Sequence, residues 1–564
     1  VTVIPMELLS ARDVHRSDDP DPDNEAAEAA AAAANIVKAN FDAPSELGRT
    51  PLAAELLRVD NTAMPPVTDA PPLRTLVAIS AIGAAVEFTW SSGEVVIEPF
   101  LLQFWPASTA SFVFLANPAI SLWLQLLLGQ ASDRCTSRFG RRRPFIIGLT
   151  ITGLVGLTIL FFSSSLGQAL NGSDDRTVTP WLALFGFAIS DCSHDFLLVP
   201  SRSLVEDVCP PSRQPRALAI FTTVEMLGRL GALIIGALPV LAASAWGSVP
   251  MTSADKQLRT LILASGLVLL TSAAACVLSV KEQPLPRPLP TTADAWSSCS
   301  HEGGRNGEGE TGGRVRRLGE EAGSAGVLAY LRGTPRAMWL LLLTQVMCWV
   351  GLMIWCFYCT TWISPEVTLS GTSLHLALVG LSGQAILSVF TAALVDSINR
   401  KCGTKRVLFA GGLQFHLLMA AAGYWGGSGS VTQQWLSVGL TTASGAGYAI
   451  ISNNAFAIVE VFDPDNEVQR GANLSLVNNA LPVAQILVGA LAGVAITALG
   501  GSGGVYPNIT AAAAGGLQDS NGDSNDDSNE AVIGRLFVIV GLGVSVVLLA
   551  LLAVDVFFRV IPVR

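Results

Sequence analysis

Long apolar runs separated by short polar breaks fill the chain from about residue 76 onward. They fall near 76–101, 108–130, 144–166, 179–200, 217–246 and 258–280, then near 337–361, 373–395, 406–426, 434–460, 473–499 and 531–557. Each approaches or exceeds the roughly 20 residues that a helix needs to cross the hydrocarbon of a bilayer. The pattern predicts an all-α membrane protein with twelve transmembrane helices in two six-helix bundles, at residues 73–280 and 337–564. Between the sets, 281–336 holds Pro284, Pro286, Pro288 and Pro290 and then a mixture of Gly, Arg and Glu, as a flexible linker would. Residues 1–72 are rich in Ala, Asp, Glu and Pro, with a low-complexity block at Glu25 to Ala34. They predict a disordered tail with one short helix at most.

Composition agrees with a lipid solvent. Hydrophobic residues make up 50% and charged residues 14%, against about 25% charged in soluble globular proteins, and the mean hydropathy is +0.49. The net charge of -10 owes much to acid at 18–28 and 519–530, so it says little about partners. Nine cysteines, several inside apolar runs (Cys348, Cys356, Cys359), lack the paired spacing of a disulfide framework or zinc site and read as small buried hydrophobes. The chain opens on Val rather than Met, as a fragment or processed chain would, and no signal-peptide pattern precedes its acidic start. The first span is the expected targeting element. No nucleophile–base constellation, metal cluster or phosphate-binding glycine loop survives the topology, so an enzyme, a cofactor and a metal are not expected.

Lys and Arg set the expected orientation, because positive loops stay in the cytoplasm. Loops after spans 2, 4, 6, 8 and 10 hold twenty of them, including Arg138, Arg141, Arg142, Arg143, Arg213, Arg400, Lys405 and Arg470; the other side holds Arg176, Lys256, Arg259 and Arg535. Both termini are therefore expected in the cytoplasm, and the basic loops need no nucleic-acid partner to explain them. The sequons at Asn171 and Asn508 fall in the outer loops, which agrees. The halves also repeat. Asp133 to Phe145 reads DRCTSRFGRRRPF and Asp396 to Leu408 reads DSINRKCGTKRVL, each with an acid seven residues before a Gly and a basic pair two and three residues after it: Gly140 with Arg142 and Arg143, Gly403 with Lys405 and Arg406. Parallel six-span repeats are the architecture of the major facilitator superfamily, with a substrate cavity between the halves.

Ionisable groups inside a span are costly, so each is a candidate for function, weighed against a structural ion pair. Span 1 carries Glu87, Glu94 and Glu98 along one helical stripe, with Glu98 near the outer end. Span 4 is interrupted by Asp191, Cys192, Ser193, His194 and Asp195, followed by Arg202, Glu206 and Asp207. Asp191 and Asp195 are one turn apart on one face, and Arg202 follows three turns down it. A desolvated carboxylate takes up a proton readily and a nearby cation opposes this, so an acid with a movable basic neighbour is a candidate proton site. The alternative is a static network in which Arg202 pairs with Asp207. Span 5 holds Glu225 and Arg229 at the i,i+4 spacing of a pair that neutralises itself within one helix. Gln125, Asn453, Asn454, Asn478, Asn479 and Gln485 suit either hydroxyl recognition or interhelical hydrogen bonds. Phe88, Trp90, Trp349, Trp355 and Trp362 suit either stacking on a sugar ring or anchoring at the interface.

The run Ser132 to Ile146, SDRCTSRFGRRRPFI, is similar to the loop after the second span of plant sucrose transporters and their animal sucrose-transporter-like relatives, in the glycoside-pentoside-hexuronide branch of the superfamily. The likeness extends through Pro118, Gln125 and Gly129, and into span 1 through Phe88, Trp90 and Pro99. In span 4, GFAISDCSHDFLLVPSRSLVEDV resembles the family pattern. This implies a proton-coupling acid at Asp191, an essential arginine at Arg202 and Asp207 closing an RxxxxD motif. His194 and Asp195 stand where plant members usually carry two Asn. In the second half Gly445, Phe456, Ala457, Asn478 and Gln485 agree with the family. Span 7 departs: Cys359, Thr361, Trp362, Ser364, Pro365 and Glu366 stand where plant members have two acids, Trp and a Gly-Arg-Glu triplet.

Residues and resemblance together predict a proton-coupled symporter of sucrose or a related neutral sugar or glucoside, in a plasma, vacuolar or other internal membrane. The expected proton-coupling residues are Asp191 and Arg202, with Arg202 competing for Asp191 when the proton leaves. The expected sugar contacts are Glu87, Trp90, Gln125, Asp191, Asp195, Asn478 and Gln485. The expected gate and structural residues are Asp133, Arg138, Gly140, Arg142, Arg143, Asp207, Glu225 and Arg229. Two other readings stand beside it: an uncoupled sugar facilitator, and a non-transporting membrane sensor or scaffold, which the span 7 departures favour.

Overall fold

The computed structural model describes residues 71–102, 107–172, 177–238, 245–247, 253–280, 282, 324–363, 372–427, 430–462, 470–499 and 523–558. All but the last two residues of the expected tail, and most of the expected linker, lie outside them. The first six long helices are α1 (Leu73–Leu102), α2 (Ala107–Asp133), α3 (Arg143–Asn171), α4 (Val178–Asp207), α5 (Gln214–Ala237) and α6 (Ser253–Ser279). A short α7 (Ser324–Gly333) precedes α8 (Arg336–Ile363), α9 (Thr372–Cys402), α10 (Thr404–Trp425), α11 (Val431–Phe462), α12 (Arg470–Asn478), α13 (Ala480–Ala498) and α14 (Asp523–Phe558). Ten helices among the described residues are long and apolar enough to cross a membrane, which makes this an integral multi-pass protein. The long helices α2 and α11 are not among the ten: in α11 Ser, Thr, Asn and Gly dilute the apolar content, and in α2 the described side chains begin only at Asn117. Span 11 divides at Asn479 into α12 and α13, because Pro482 has no N–H to offer the carbonyl one turn before it.

Packing repeats between the halves. In the first, α1 packs on α5 and α6, α4 on α2 and α3, and α3 on α6. In the second, α8 packs on α13 and α14, α11 on α9 and α10, and α10 on α14, the same scheme shifted by six spans. The halves meet where α2 touches α12 and α13 and where α5 touches α9. Small residues permit these approaches, since lipid-embedded helices gain from close backbone contact rather than from hydrophobic burial. A Cβ on Gly156 of α3 would sit 2.7 Å from the Gly186 carbonyl of α4, and one on Gly447 of α11 would sit 2.6 Å from that of Gly411 in α10. The repeated loop motif serves the same backbone need in both halves: Gly140 has φ +103° and Gly403 φ +86°, a left-handed conformation that costs other residues energy.

One expectation needs correction, and one open choice narrows. The linker is not flexible throughout, because α7 buries Val327 in an apolar cluster with Leu126 of α2 and Leu474 of α12, and its Tyr330 hydroxyl donates to Asn473 Oδ1 at 2.8 Å. Trp355 and Trp362 are not free to stack on a sugar. Both are buried in the second bundle, each against Phe537, with ring centroids 5.0 and 5.4 Å away.

Candidate functional site

A polar centre lies half-way along α2 and α4. Asp191 and Asp195 project from successive turns of α4, and the Asn117 amide of α2 donates to Asp191 Oδ2 and, at 3.4 Å, to Asp195 Oδ2. Ser121 Oγ donates to the same Asp195 oxygen at 3.1 Å, and the Cys192 thiol donates to Asn117 Oδ1. Asp195 is 1% exposed, whereas Asp191 is partly exposed. From α1 the Trp90 indole N–H lies close to the Asp191 carboxylate without reaching full hydrogen-bond geometry. Asn117, Ser121 and Gln125 are spaced by four, so they form one stripe on α2. At its far end Gln125 Oε1 accepts from Asn478 Nδ2 of the second half at 3.2 Å.

Charged pairs flank this centre. Arg202 of α4 donates to Glu225 of α5 at 3.0 and 3.2 Å, and its guanidinium lies 3.8 Å from the ring centroid of Phe456 in α11. Arg229 of α5 reaches Glu87 of α1 at 3.8 Å and Ser91 at 3.3 Å, and lies over the Tyr448 ring of α11. The Tyr448 hydroxyl donates to Glu87 Oε1 at 3.3 Å, so this pair also touches both bundles.

At the arginine-rich end the bundles are latched. Asp133, at the end of α2, accepts the N–H groups of Gly471 and Ala472 at 3.0 Å each, at the start of α12. Arg142 joins Asp133 at 2.6 Å to Asp207 at 3.0 Å, and Asp207 also binds Arg141 and Arg470. Burial works against the Arg142 charge, but Asp207 and Asp133 outweigh it and raise its pKa. Glu282, just beyond α6, accepts the Arg142 N–H at 2.9 Å at the head of α3. Burial holds its carboxyl above the ordinary value, although that N–H pulls the other way. A side chain on Gly140 would collide with this carboxylate. On the α2 side of the contact, a Cβ on Gly129 would sit 2.7 Å from the Gly471 carbonyl.

The model of the Major Facilitator Superfamily matches residues 75–363, just over half of the chain. This chain belongs to that superfamily. Its relatives also carry the likeness to sucrose transporters read from spans 1 to 4. The chain is 34% identical over 220 residues to proton-associated sugar transporter A of Rattus norvegicus, covering 38% of this chain and 28% of the relative. It thus spans less than a third of that relative's length. It is 21% identical over 446 residues to a sucrose transport protein of Arabidopsis thaliana, covering 74% of this chain and 82% of that one. Among solved structures, a bacterial homologue of the human drug peptide transporters shares the fold with a TM-score of 0.53 at 11% identity, over 87% of this chain and 99% of that one.

Against this superfamily fold, several expected pairings change. Arg202 does not face Asp191: eleven residues of α-helix separate them by about 16 Å, and its partner is Glu225. Nor does Arg202 pair with Asp207, which is held by Arg141, Arg142 and Arg470. Glu225 and Arg229 are not a pair within α5, because each finds a partner on a neighbouring helix, Arg202 and Glu87. Arg138 is exposed over the Phe139 ring, and neither it nor Arg143 pairs its side chain with a carboxylate among the described residues. Gln485 Oε1 is buried without a hydrogen-bond partner among those residues. Glu94 and Glu98 lie where side chains are not described. Sequence reasoning missed Asn117 and Ser121; their fourfold spacing with Gln125, next to Pro118, was the available signal.

Proposed function

We infer that this facilitator carries a neutral sugar, sucrose or a related glucoside, in symport with a proton that travels on Asp191. One observation carries the reading: Asp191 is a partly exposed carboxylate at mid-span, held by a neutral amide and paired with no cation among the described residues. Such a group can give up its charge when the surroundings dry, which a salt-bridged acid resists. Buried polar atoms without partners among the described residues, the N–H groups of Trp90 and Gln125 and Oε1 of Gln485, offer donors and an acceptor to sugar hydroxyls.

The cycle then follows from alternating access. A proton neutralises Asp191, the sugar fills the cavity, and the neutral, occupied centre permits the bundles to rock. With both termini cytoplasmic, as the basic loops favour, the latch at Asp133, Arg142, Asp207 and Arg470 is the inner gate in its closed form. Loss of the proton to the cytoplasm recharges Asp191. The family likeness in the relatives supports sugar as cargo and a proton as partner.

The test is uptake of labelled sucrose at about pH 5 and about pH 7.5 in cells that lack their own carrier, comparing the parent with Asp191→Asn. The reading expects uptake that is faster at acid pH in the parent and loses pH dependence in the variant. Uptake blind to both pH and the substitution leaves an uncoupled facilitator, and no uptake favours a sensor.

A further inference from the structure

Asp195 has no task in that cycle, yet it is the more deeply buried of the two mid-span acids on α4. It shares the Asn117 amide with Asp191, and Ser121 supplies its second donor. Among the described residues, the groups around the pair are neutral. From α1 it meets the Trp90 indole, from α2 Asn117 and Ser121, and on α4 the Cys192 thiol, while His194 turns to the Ser190 carbonyl. The cations on neighbouring elements are committed elsewhere: Arg202 to Glu225, Arg229 to Glu87, and Arg470 of α12 to Glu206 and Asp207. Arg143, at the head of α3, lies at the latch end, its backbone N–H held by Glu282. Two carboxylates one turn apart that share a donor and have no counter-cation repel each other when both are charged.

We propose that Asp195 is the second member of a carboxyl pair with Asp191, which keeps one proton throughout the cycle, takes a second to admit sugar and returns only that second proton. This rests on the symport reading and deepens it. The balance is simple: the empty pair carries one negative charge and one shared proton, loading from the medium makes it neutral, and release on the other side restores the single charge. One proton moves per sugar, and Asp195 sets the pH at which it moves. The pair titrates as a unit, so neither step belongs to one residue. This role belongs to a chain with an acid at 195, and a neutral side chain there would leave Asp191 to titrate alone.

The test is the pH dependence of sucrose uptake, corrected for protein at the cell surface, in the parent, in Asp195→Asn and in Asp195→Ser. In the empty pair the shared proton stabilises the single negative charge, and neither Asn nor Ser carries that proton, so Asp191 alone takes up a proton in a less acid medium. The uptake midpoint should move up by about one pH unit or more. A midpoint that stays put or moves down overturns the proposal, whatever happens to the maximal rate. Ser121→Ala perturbs the fold least: losing the donor to Asp195 should move the midpoint slightly up, and a downward move also counts against the pair. Were the parent itself insensitive to pH, the symport reading would fall first. A sensitive parent with unmoved variants removes the pair alone.

Discussion

Consider Arg202→Met. The Arg202–Glu225 bridge is buried, with side chains 6% and 2% exposed, so removing the cation strands a carboxylate in a dry interior. Breaking a buried pair on one side costs about 3–5 kcal/mol, and losing the guanidinium over Phe456 adds about 1–2 kcal/mol. At roughly 2 °C per kcal/mol for a large chain, the apparent melting temperature of detergent-purified protein should fall by about 8–14 °C. Adding Glu225→Gln removes the stranded charge, and the double variant should recover at least half of the loss. Melting followed by tryptophan fluorescence reads both. If the double variant melts as low as the single one, or the single one melts with the parent, the bridge is not what holds α4 to α5. Because Arg202 does not reach Asp191, any single variant that reaches the membrane should also keep the parent's uptake midpoint.

Two further outcomes follow from the latch. Arg470→Ala removes the α12 guanidinium from Asp207 and Glu206, so the equilibrium should move tenfold or more, roughly, toward opening at that end. Maleimide labelling of a cysteine placed at buried Ser475 reads this, and an unchanged rate refutes it. Glu282 sits above its ordinary pKa; its favourable contribution is therefore complete below that ordinary value and lost as pH rises through the raised one. Compared with Glu282→Gln, which cannot ionise, the parent should lose thermal stability as pH rises above the ordinary carboxylate value of about 4.3, and parallel melting curves would contradict this.

Much of the fold was legible because its causes are local. Bilayer thickness sets the length of every apolar run, and the spacing of Asp133, Gly140 and Arg142 against Asp396, Gly403 and Lys405 announced a duplication whose two glycines share a backbone conformation. Partner choice was not legible, because it depends on helices distant in sequence. Glu225 and Arg229 have the spacing of a pair, yet each finds a better-placed ion across a helix interface. The duplication also misleads at side-chain level: Arg142 bridges Asp133, but its counterpart Lys405 turns to Asp555 of α14 at 2.6 Å. In the linker, a stretch of ten residues with Val327, Tyr330 and Leu331 on one face was hidden among glycines and charges.

That short α7 segment makes the cord between the bundles more than slack. It is seated across the seam where α2 meets α12, pinned by Tyr330. On the rocking motion inferred above, parting this seam would have to peel α7 from one of the two helices it touches.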